Sequence, residues 1–208
     1  MVRPMEENVA TKRTIKFQLV SAFLGVAAIT AVIALLAVYA AGTGKNVATE
    51  IGDVRMPSVQ ALLTISEAQT AVDSGENALL STRITAELRR DVYKRFDDAK
   101  ARADAAWKVY EPLPQTTEEA ADWREFVPAW EAWWRDHESY VKLAKTYEAE
   151  PTPAKYAELS DFALITIGAS FTKAESWLNK VVLINEHLGE AASEAADTEL
   201  ARLQVVSI

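Results

Sequence analysis

Two kinds of hydrophobic pattern divide the chain. Residues 17–44 form an uncharged run of 28 residues, FQLVSAFLGVAAITAVIALLAVYAAGTG, in which apolar side chains predominate. From Lys45 onward, apolar side chains instead recur every three or four residues, with charged residues between them. The first pattern is typical of a helix that crosses a membrane, and the second is typical of amphipathic helices that bury one face.

The spacing in the second part predicts four amphipathic helices. They cover about 46–80, 86–110, 117–149 and 153 to the end of the chain, with turns near 81–85, 111–116 and 149–153. Thr116 and Glu119 have the spacing of a capping box, and Thr152 precedes a proline at the first helical position. Short turns between four such helices predict an all-α fold, an antiparallel up-down-up-down four-helix bundle.

Two residues stand out within these helices. Pro57 lies inside the first bundle helix, where a proline costs about 3 kcal/mol and predicts a helix kink. Asn185 lies among the apolar positions of the last helix. We interpret Asn185 as a polar residue that fixes the register of the bundle core, and a ligand contact is the alternative.

The distribution of charge predicts the orientation in a membrane. Residues 1–16 carry four basic and two acidic side chains, whereas residues 45–208 carry 18 of the 22 basic and 28 of the 30 acidic ones. By the positive-inside rule, the basic tail at 1–16 is cytoplasmic, and the bulk of the chain is periplasmic, outside a bacterial inner membrane.

These observations divide the chain into three segments. We expect a cytoplasmic tail over 1–16, a single transmembrane helix in contact with lipid over 17–41, and an extracytoplasmic domain over 42–208. A cleaved signal peptide is the alternative interpretation of the apolar run, but signal peptides have shorter apolar cores of about 7–15 residues.

The composition excludes several classes of protein. The 208 residues include no Cys, which excludes disulfides, thiol catalysis and thiolate zinc sites, and the net charge of −8 argues against nucleic-acid binding. Only two His are present and no glycine-rich phosphate loop occurs, so we predict no catalytic residues, no cofactor and no enzymatic activity. Residues 136–138 (Asp-His-Glu) offer metal-ligand types, but consecutive helix residues face different directions, and we predict no metal site.

Three local patterns, taken in order, carry a family resemblance. Residues 54–59 read VRMPSV, tryptophans lie at 123, 130 and 134, and Asn185 lies in the last helix. With the basic N-terminus and the uncleaved span, the whole chain resembles the sensory region of methyl-accepting chemotaxis receptors, in their four-helix-bundle ligand-binding family.

The resemblance implies several properties of the protein. Similar receptors form homodimers, bind a small molecule or a periplasmic binding protein, and transmit a helix displacement across the membrane. The resemblance also implies a second span and a cytoplasmic output module beyond residue 208, where the chain is turning apolar.

A ligand pocket in such a receptor is expected in the membrane-distal half of the bundle. The residues expected to line it are Gln69, Arg89, Tyr93, Tyr140 and Thr166, with Asp73, Asn77 and Ser170 nearby. Arg89 could hold a carboxylate through two parallel hydrogen bonds. For each of these residues, an ordinary surface or core position is the alternative.

Trp133 and Trp134 are adjacent on the third bundle helix and cannot both face one core. Either the helix offers an apolar face to a partner, or its buried stripe is wide.

Three functions remain open at this point. The first is a transmembrane chemoreceptor. The second is the sensor region of a membrane histidine kinase or a cyclic-di-GMP enzyme, and the third is a single-pass structural anchor of an envelope assembly. The sequence beyond residue 208 would distinguish them, because a second span followed by a long heptad coiled coil is specific to the receptors.

Overall fold

The computed structural model describes residues 15–206, and within that range all regular secondary structure is helical. The elements are α1 (Ile15–Thr49), a π-helical segment (Glu50–Arg55), α2 (Met56–Leu79), α3 (Ala86–Tyr110), α4 (Thr117–Ala149), α5 (Pro153–Asp161), a second π-helical segment (Phe162–Ile167) and α6 (Gly168–Val206). The predicted all-α fold is confirmed. Most of the basic tail predicted at 1–16, and the last two residues of the chain, lie outside the described range.

The described residues divide into two compact units. The first contains residues 15–46 and 196–206, and the second contains residues 47–195. Residues 15–46 of α1 belong to the first unit. This helix includes an 18-residue window with a mean hydropathy of 2.6, and no residue from Ile15 to Thr49 is buried. A helix this long and apolar meets the length and composition that a membrane span requires, so α1 is a candidate for the span predicted over 17–41.

The second unit has a hydrophobic core to which α2, α3, α4, α5 and α6 all contribute buried side chains. On α4 the buried stripe includes Trp123, Phe126, Trp130, Trp133 and Tyr140, the three-and-four spacing from which the helix was predicted. Burial of these large rings supplies much of the hydrophobic stabilisation, because each aromatic side chain removes about 150–250 Å² of surface from water.

Side-chain caps mark where α4 and α5 begin. The Thr116 hydroxyl accepts a hydrogen bond from the Glu119 backbone N–H at 3.2 Å, and the Glu119 carboxylate accepts one from the Thr116 N–H, also at 3.2 Å. The predicted capping box is therefore confirmed. The cap predicted at Thr152 is also confirmed, because its hydroxyl accepts a hydrogen bond from the Lys155 N–H at 3.3 Å.

Pro57 is the second residue of α2 and lies two positions after Arg55, the last residue of the first π-helical segment. The Met56 N–H donates to the carbonyl of Ile51, five residues back, which is the π-helical pattern. We attribute this wide turn to Pro57, whose ring crowds the preceding turn and which has no N–H to donate. A change of helix direction at Pro57 stays a prediction. Pro128, by contrast, lies inside α4, which continues through it.

Candidate functional site

A buried arginine connects the beginning of the bundle to its last helix. Arg55 ends the first π-helical segment and is only 6% exposed. Its Nε donates to Glu50 Oε1 at 2.7 Å, and its Nη1 donates to Glu119 Oε2 at 3.1 Å and to Asn185 Oδ1 at 2.9 Å. A guanidinium is stable out of water only when its charge and its donors are matched in this way.

Glu119 is the centre of these contacts and is fully buried. Its Oε1 accepts hydrogen bonds from the Tyr110 hydroxyl and from Asn185 Nδ2, each at 2.7 Å. Its Oε2 accepts from Arg55 and from the Thr116 backbone. The Glu119 carboxylate therefore accepts four hydrogen bonds, two on each oxygen. From the sequence alone, Glu119 was predicted only to cap the helix.

We refer to Arg55, Tyr110, Glu119 and Asn185 as the Arg55 network. It joins the first π-helical segment, the end of α3, the start of α4 and the middle of α6. Burial lowers the pKa of Arg55, but the hydrogen bonds and charges of Glu50 and Glu119 raise it by more. The pKa is therefore higher than that of a free arginine, and the guanidinium stays charged. Burial and the bond to Glu119 raise the pKa of Tyr110, which keeps its hydroxyl as a donor.

A second buried polar contact lies elsewhere in the bundle, between α2 and α4. Glu76 and His137 are 2% and 3% exposed, and Glu76 Oε1 is 2.7 Å from His137 Nδ1. The Tyr140 hydroxyl donates to the backbone carbonyl of Glu76 at 2.6 Å. Burial raises the pKa of Glu76, and the bond to His137 offsets part of that rise. Within the described part of the chain, Glu76 Oε2 and Trp133 Nε1 are buried without a hydrogen-bond partner.

His137 also lines a cleft of about 410 Å³, which we call the α3–α4 cleft. Its lining residues are Tyr93, Phe96, Asp97, Lys100, Trp134, His137, Glu138, Val141, Lys142 and Lys145. The His137 ring packs against Phe96 and Trp134, with ring centres 4.7 and 4.9 Å away. Trp133, the neighbour of Trp134, is fully buried instead. A contact between this helix and a partner stays a prediction.

Two of the predicted ligand residues meet the same glutamate on α4. Arg89 Nε lies 3.6 Å from Glu148 Oε1, and the Tyr93 hydroxyl donates to Glu148 Oε2 at 3.4 Å. Burial and the nearby Glu148 raise the pKa of Tyr93 to about 12. Tyr93 lines the α3–α4 cleft, whereas the guanidinium of Arg89 is paired with Glu148 at an ion-pair distance.

The other three predicted ligand residues lie in different surroundings. Tyr140 is fully buried and bonded to Glu76. Gln69 is also buried, and its Nε2 donates to the Phe171 carbonyl of α6 at 3.2 Å. Thr166 lies in the second π-helical segment, where its backbone carbonyl accepts from the Ser170 hydroxyl. A ligand-binding role for each of these residues stays a prediction.

Sequence reasoning considered His137 only as a metal ligand and missed its buried contact with Glu76, although a signal was present. Glu76 lies four residues after Val72 and three before Leu79, and His137 lies three before Tyr140, so both occupy apolar stripe positions. An ionisable residue at such a position on each of two helices favours a buried pair. Within residues 15–206, no group of three or more His, Asp or Glu side chains could hold a metal ion.

A family model described as a four helix bundle sensory module for signal transduction matches residues 12–200. No curated protein and no solved structure matches the chain.

Proposed function

Because the chain belongs to the family of four-helix-bundle sensory modules for signal transduction, we propose that it is the sensory region of a transmembrane chemoreceptor. In this proposal it binds a small solute or a periplasmic partner protein and transmits a helix displacement across the membrane. Sensory modules of this type are non-catalytic domains, and we propose that the chain has no enzymatic activity of its own.

The Arg55 network is the observation that carries the transmission step. It ties the residues that follow α1 to α6 through hydrogen bonds of 2.7–3.1 Å among buried side chains. Helix shifts of about 1–2 Å, typical of signalling at helix interfaces, would break bonds of this length. A displacement of α6 would therefore act directly on Arg55 and on the segment that leads from α1.

A ligand drives such a displacement only if it binds one arrangement of the helices more tightly than the other. A buried network suits this purpose because it has discrete bonded states. Either Arg55 donates hydrogen bonds to both Glu119 and Asn185, or its buried charge loses a partner, which costs several kcal/mol of stability.

The family and the apolar helix α1 together indicate a membrane-associated protein. We propose that it resides in a bacterial inner membrane, with residues 17–41 in the bilayer, the N-terminus in the cytoplasm and the bulk of the chain in the periplasm. The excess of basic residues before position 17 and of acidic residues after position 44 supports this orientation.

We also propose a homodimer. Large apolar side chains of the second unit remain exposed on helix surfaces, among them Met56 and Leu63 on α2 and Leu183 on α6, which is 62% exposed. Leu183 borders a groove of about 840 Å³ that Ile184 and Leu188 also line. A second copy packed on this surface would remove these side chains from water.

A chimeric receptor tests the proposed function. The chain is joined to the second span and signalling portion of a chemoreceptor of known output, in cells that lack other receptors, and kinase activity is followed as solutes are added. We expect at least one solute or periplasmic extract to change kinase activity. An inserted chimera that activates the kinase but responds to none of them would contradict the proposal.

Arg55 provides the internal test of transmission. Arg55→Gln removes the charge from the network and is expected to shift the unstimulated kinase activity and to weaken the response. Arg90→Gln serves as the matched control, because Arg90 is an exposed arginine of α3. Equal behaviour of the two variants would show that the Arg55 network plays no part in signalling.

A further inference from the structure

We propose that the α3–α4 cleft binds a small planar organic anion, of the class of aromatic carboxylates. This inference rests on the proposed sensory function, since it names the ligand class that such a sensor would detect. It places the site between the two helices that hold Tyr93 and Trp134.

The shape and walls of the cleft favour a planar molecule. Its volume of about 410 Å³ lies in the range of small-molecule pockets, about 300–1,000 Å³. Aromatic rings of Tyr93 and Phe96 line it from α3, and rings of Trp134 and His137 line it from α4. Aromatic side chains prefer offset or edge-on contact with another ring, so a flat ligand would gain specific contacts as well as burial.

The charges around the cleft favour an anion. Lys100, Lys142 and Lys145 line it, against two carboxylates, Asp97 and Glu138, and Lys100 is bonded to a further carboxylate, that of Asp104, at 2.5 and 2.6 Å. Among the described residues, Lys142 and Lys145 form no ion pair, so these two lysines of α4 are available to a ligand anion. An acidic protein repels anions over most of its surface, but in this cleft one carboxylate could pair with both Lys142 and Lys145, which lie three positions apart on α4.

The lysine positions also argue against a cationic ligand. Lys100 Nζ lies 5.3 Å from the centre of the Trp134 ring, and Lys145 Nζ lies 5.3 Å from the centre of the Tyr93 ring. Both rings therefore already have a cation nearby at a cation–π distance. A quaternary ammonium ligand would compete with these lysines for the rings, whereas a carboxylate could pair with Lys145.

His137 provides a fixed polar group in the wall of the cleft. Its Nδ1 is held by Glu76 at 2.7 Å, which sets the orientation of the ring. Among the described residues, no partner is found for its Nε2. That nitrogen can accept a hydrogen bond from a ligand hydroxyl or donate one to a carboxylate, according to its protonation.

Fluorine NMR on the full chain in detergent micelles tests the site. 4-Fluorobenzoate is the probe, and benzyltrimethylammonium is its cationic counterpart of similar size. We expect saturable broadening of the 4-fluorobenzoate signal, and no displacement by benzyltrimethylammonium. Lys142→Gln should weaken binding about two- to fivefold, which is the effect of removing one exposed charge partner.

The controls separate loss of the site from loss of the fold. Lys142 is exposed, so its replacement should leave thermal unfolding unchanged, and Lys94→Gln removes an exposed lysine of α3 that does not line the cleft. Trp134→Leu should weaken binding more than Lys142→Gln, because it removes one of the walls. Absence of probe binding, equal effects of Lys142→Gln and Lys94→Gln, or tighter binding of the cation would overturn the proposal.

The chimeric receptor distinguishes this proposal from the broader one. If the chimera responds to other solutes while 4-fluorobenzoate does not bind, the anion site is wrong and the sensory function stands. If the probe binds in the cleft and no solute changes kinase activity, the site stands and the sensory function is wrong.

Discussion

Asn185 of α6 accepts a 2.9 Å hydrogen bond from Arg55, which lies 130 positions earlier in the chain. The same Asn185 donates from Nδ2 to Glu119 and to the Val181 carbonyl. One amide side chain thus bridges a buried cation and a buried anion. The bridge explains why a polar residue lies on an otherwise apolar stripe.

Asn185→Ala should destabilise the bundle by about 1–3 kcal/mol, because it leaves buried groups of Arg55 and Glu119 short of partners. Denaturant unfolding of the full chain in detergent, followed by circular dichroism, measures the change. Asn179→Ala is the matched control, since Asn179 is an exposed asparagine of the same helix. Similar losses in the two variants would mean that the bridge contributes no stability.

Gly75→Ala should destabilise the packing of α2 against α3. A Cβ atom at position 75 would overlap the Phe96 ring and lie 3.2 Å from Val92 Cγ1. Overpacking of this kind costs about 1–3 kcal/mol, which equals or exceeds the gain of up to about 1 kcal/mol from replacing a helical glycine by alanine.

Gly189→Ala is the matched control for that helix-propensity gain. Its added Cβ would meet only Arg55 Cβ, at an ordinary 3.8 Å, so this variant should be stabilised by up to about 1 kcal/mol. Thermal unfolding of both variants should therefore give shifts of opposite sign. Two shifts of the same sign would contradict the close approach of Gly75 to Phe96.

Glu76→Gln should change how stability depends on pH. Burial raises the pKa of Glu76 above its ordinary 4.5, and the negative charge of Asp73 adds to the rise, although His137 opposes it. Above pH 4.5, the folded chain therefore holds this proton more tightly than the unfolded chain does. The contribution of Glu76 to the free energy of unfolding then falls as pH rises, and it is lost above the folded-state pKa.

The measured quantity is the free energy of unfolding of Glu76→Gln minus that of the unmodified chain. This difference should increase with pH from about 4.5 upward. Urea unfolding at several pH values gives this difference. Glu125→Gln, at an exposed glutamate of α4, is the matched control, and an equal change with pH in the two variants would contradict the prediction. A decrease with pH for Glu76→Gln would show that His137 outweighs burial.

The proposed homodimer can be tested by cross-linking. The sequence has no Cys, so a single introduced cysteine reports on one position. Leu183→Cys should form a disulfide between two copies in membranes under mild oxidation. Leu88→Cys, at a leucine of α3 that is 56% exposed, should not. Equal cross-linking at both positions would indicate random collision, and absence of cross-linking at Leu183 would contradict a dimer through this surface.

The sequence was sufficient to predict the helices because their signals are local. The spacing from Trp123 to Tyr140 determines which face of α4 is buried, and Thr116 with Glu119 marks where the helix begins. The two π-helical segments could not be predicted, since an extra residue in a turn leaves no mark on an apolar pattern. The bundle that these helices form is confirmed.

The buried charges could not be predicted for a different reason. Arg55 lies 64 positions from Glu119, and its burial is tolerable only because the chain brings Glu119 and Asn185 to it. Which side chains surround a buried charge depends on the tertiary structure and not on the spacing of residues along one helix. Of the ligand residues predicted from sequence, Tyr93 alone is among those that line the α3–α4 cleft, while Tyr140 and Gln69 bond to the protein itself.

The wide turn at Glu50–Arg55 has a practical consequence for anyone who builds hybrids of this protein. A turn that holds one more residue rotates everything after it by about 100° around the helix axis, compared with an uninterrupted α-helix. Heptad numbering that is carried through this turn without a break therefore assigns the side chains of α2 to the wrong direction. Hybrids should join at Met56 or later, or inherit the entire turn from one parent.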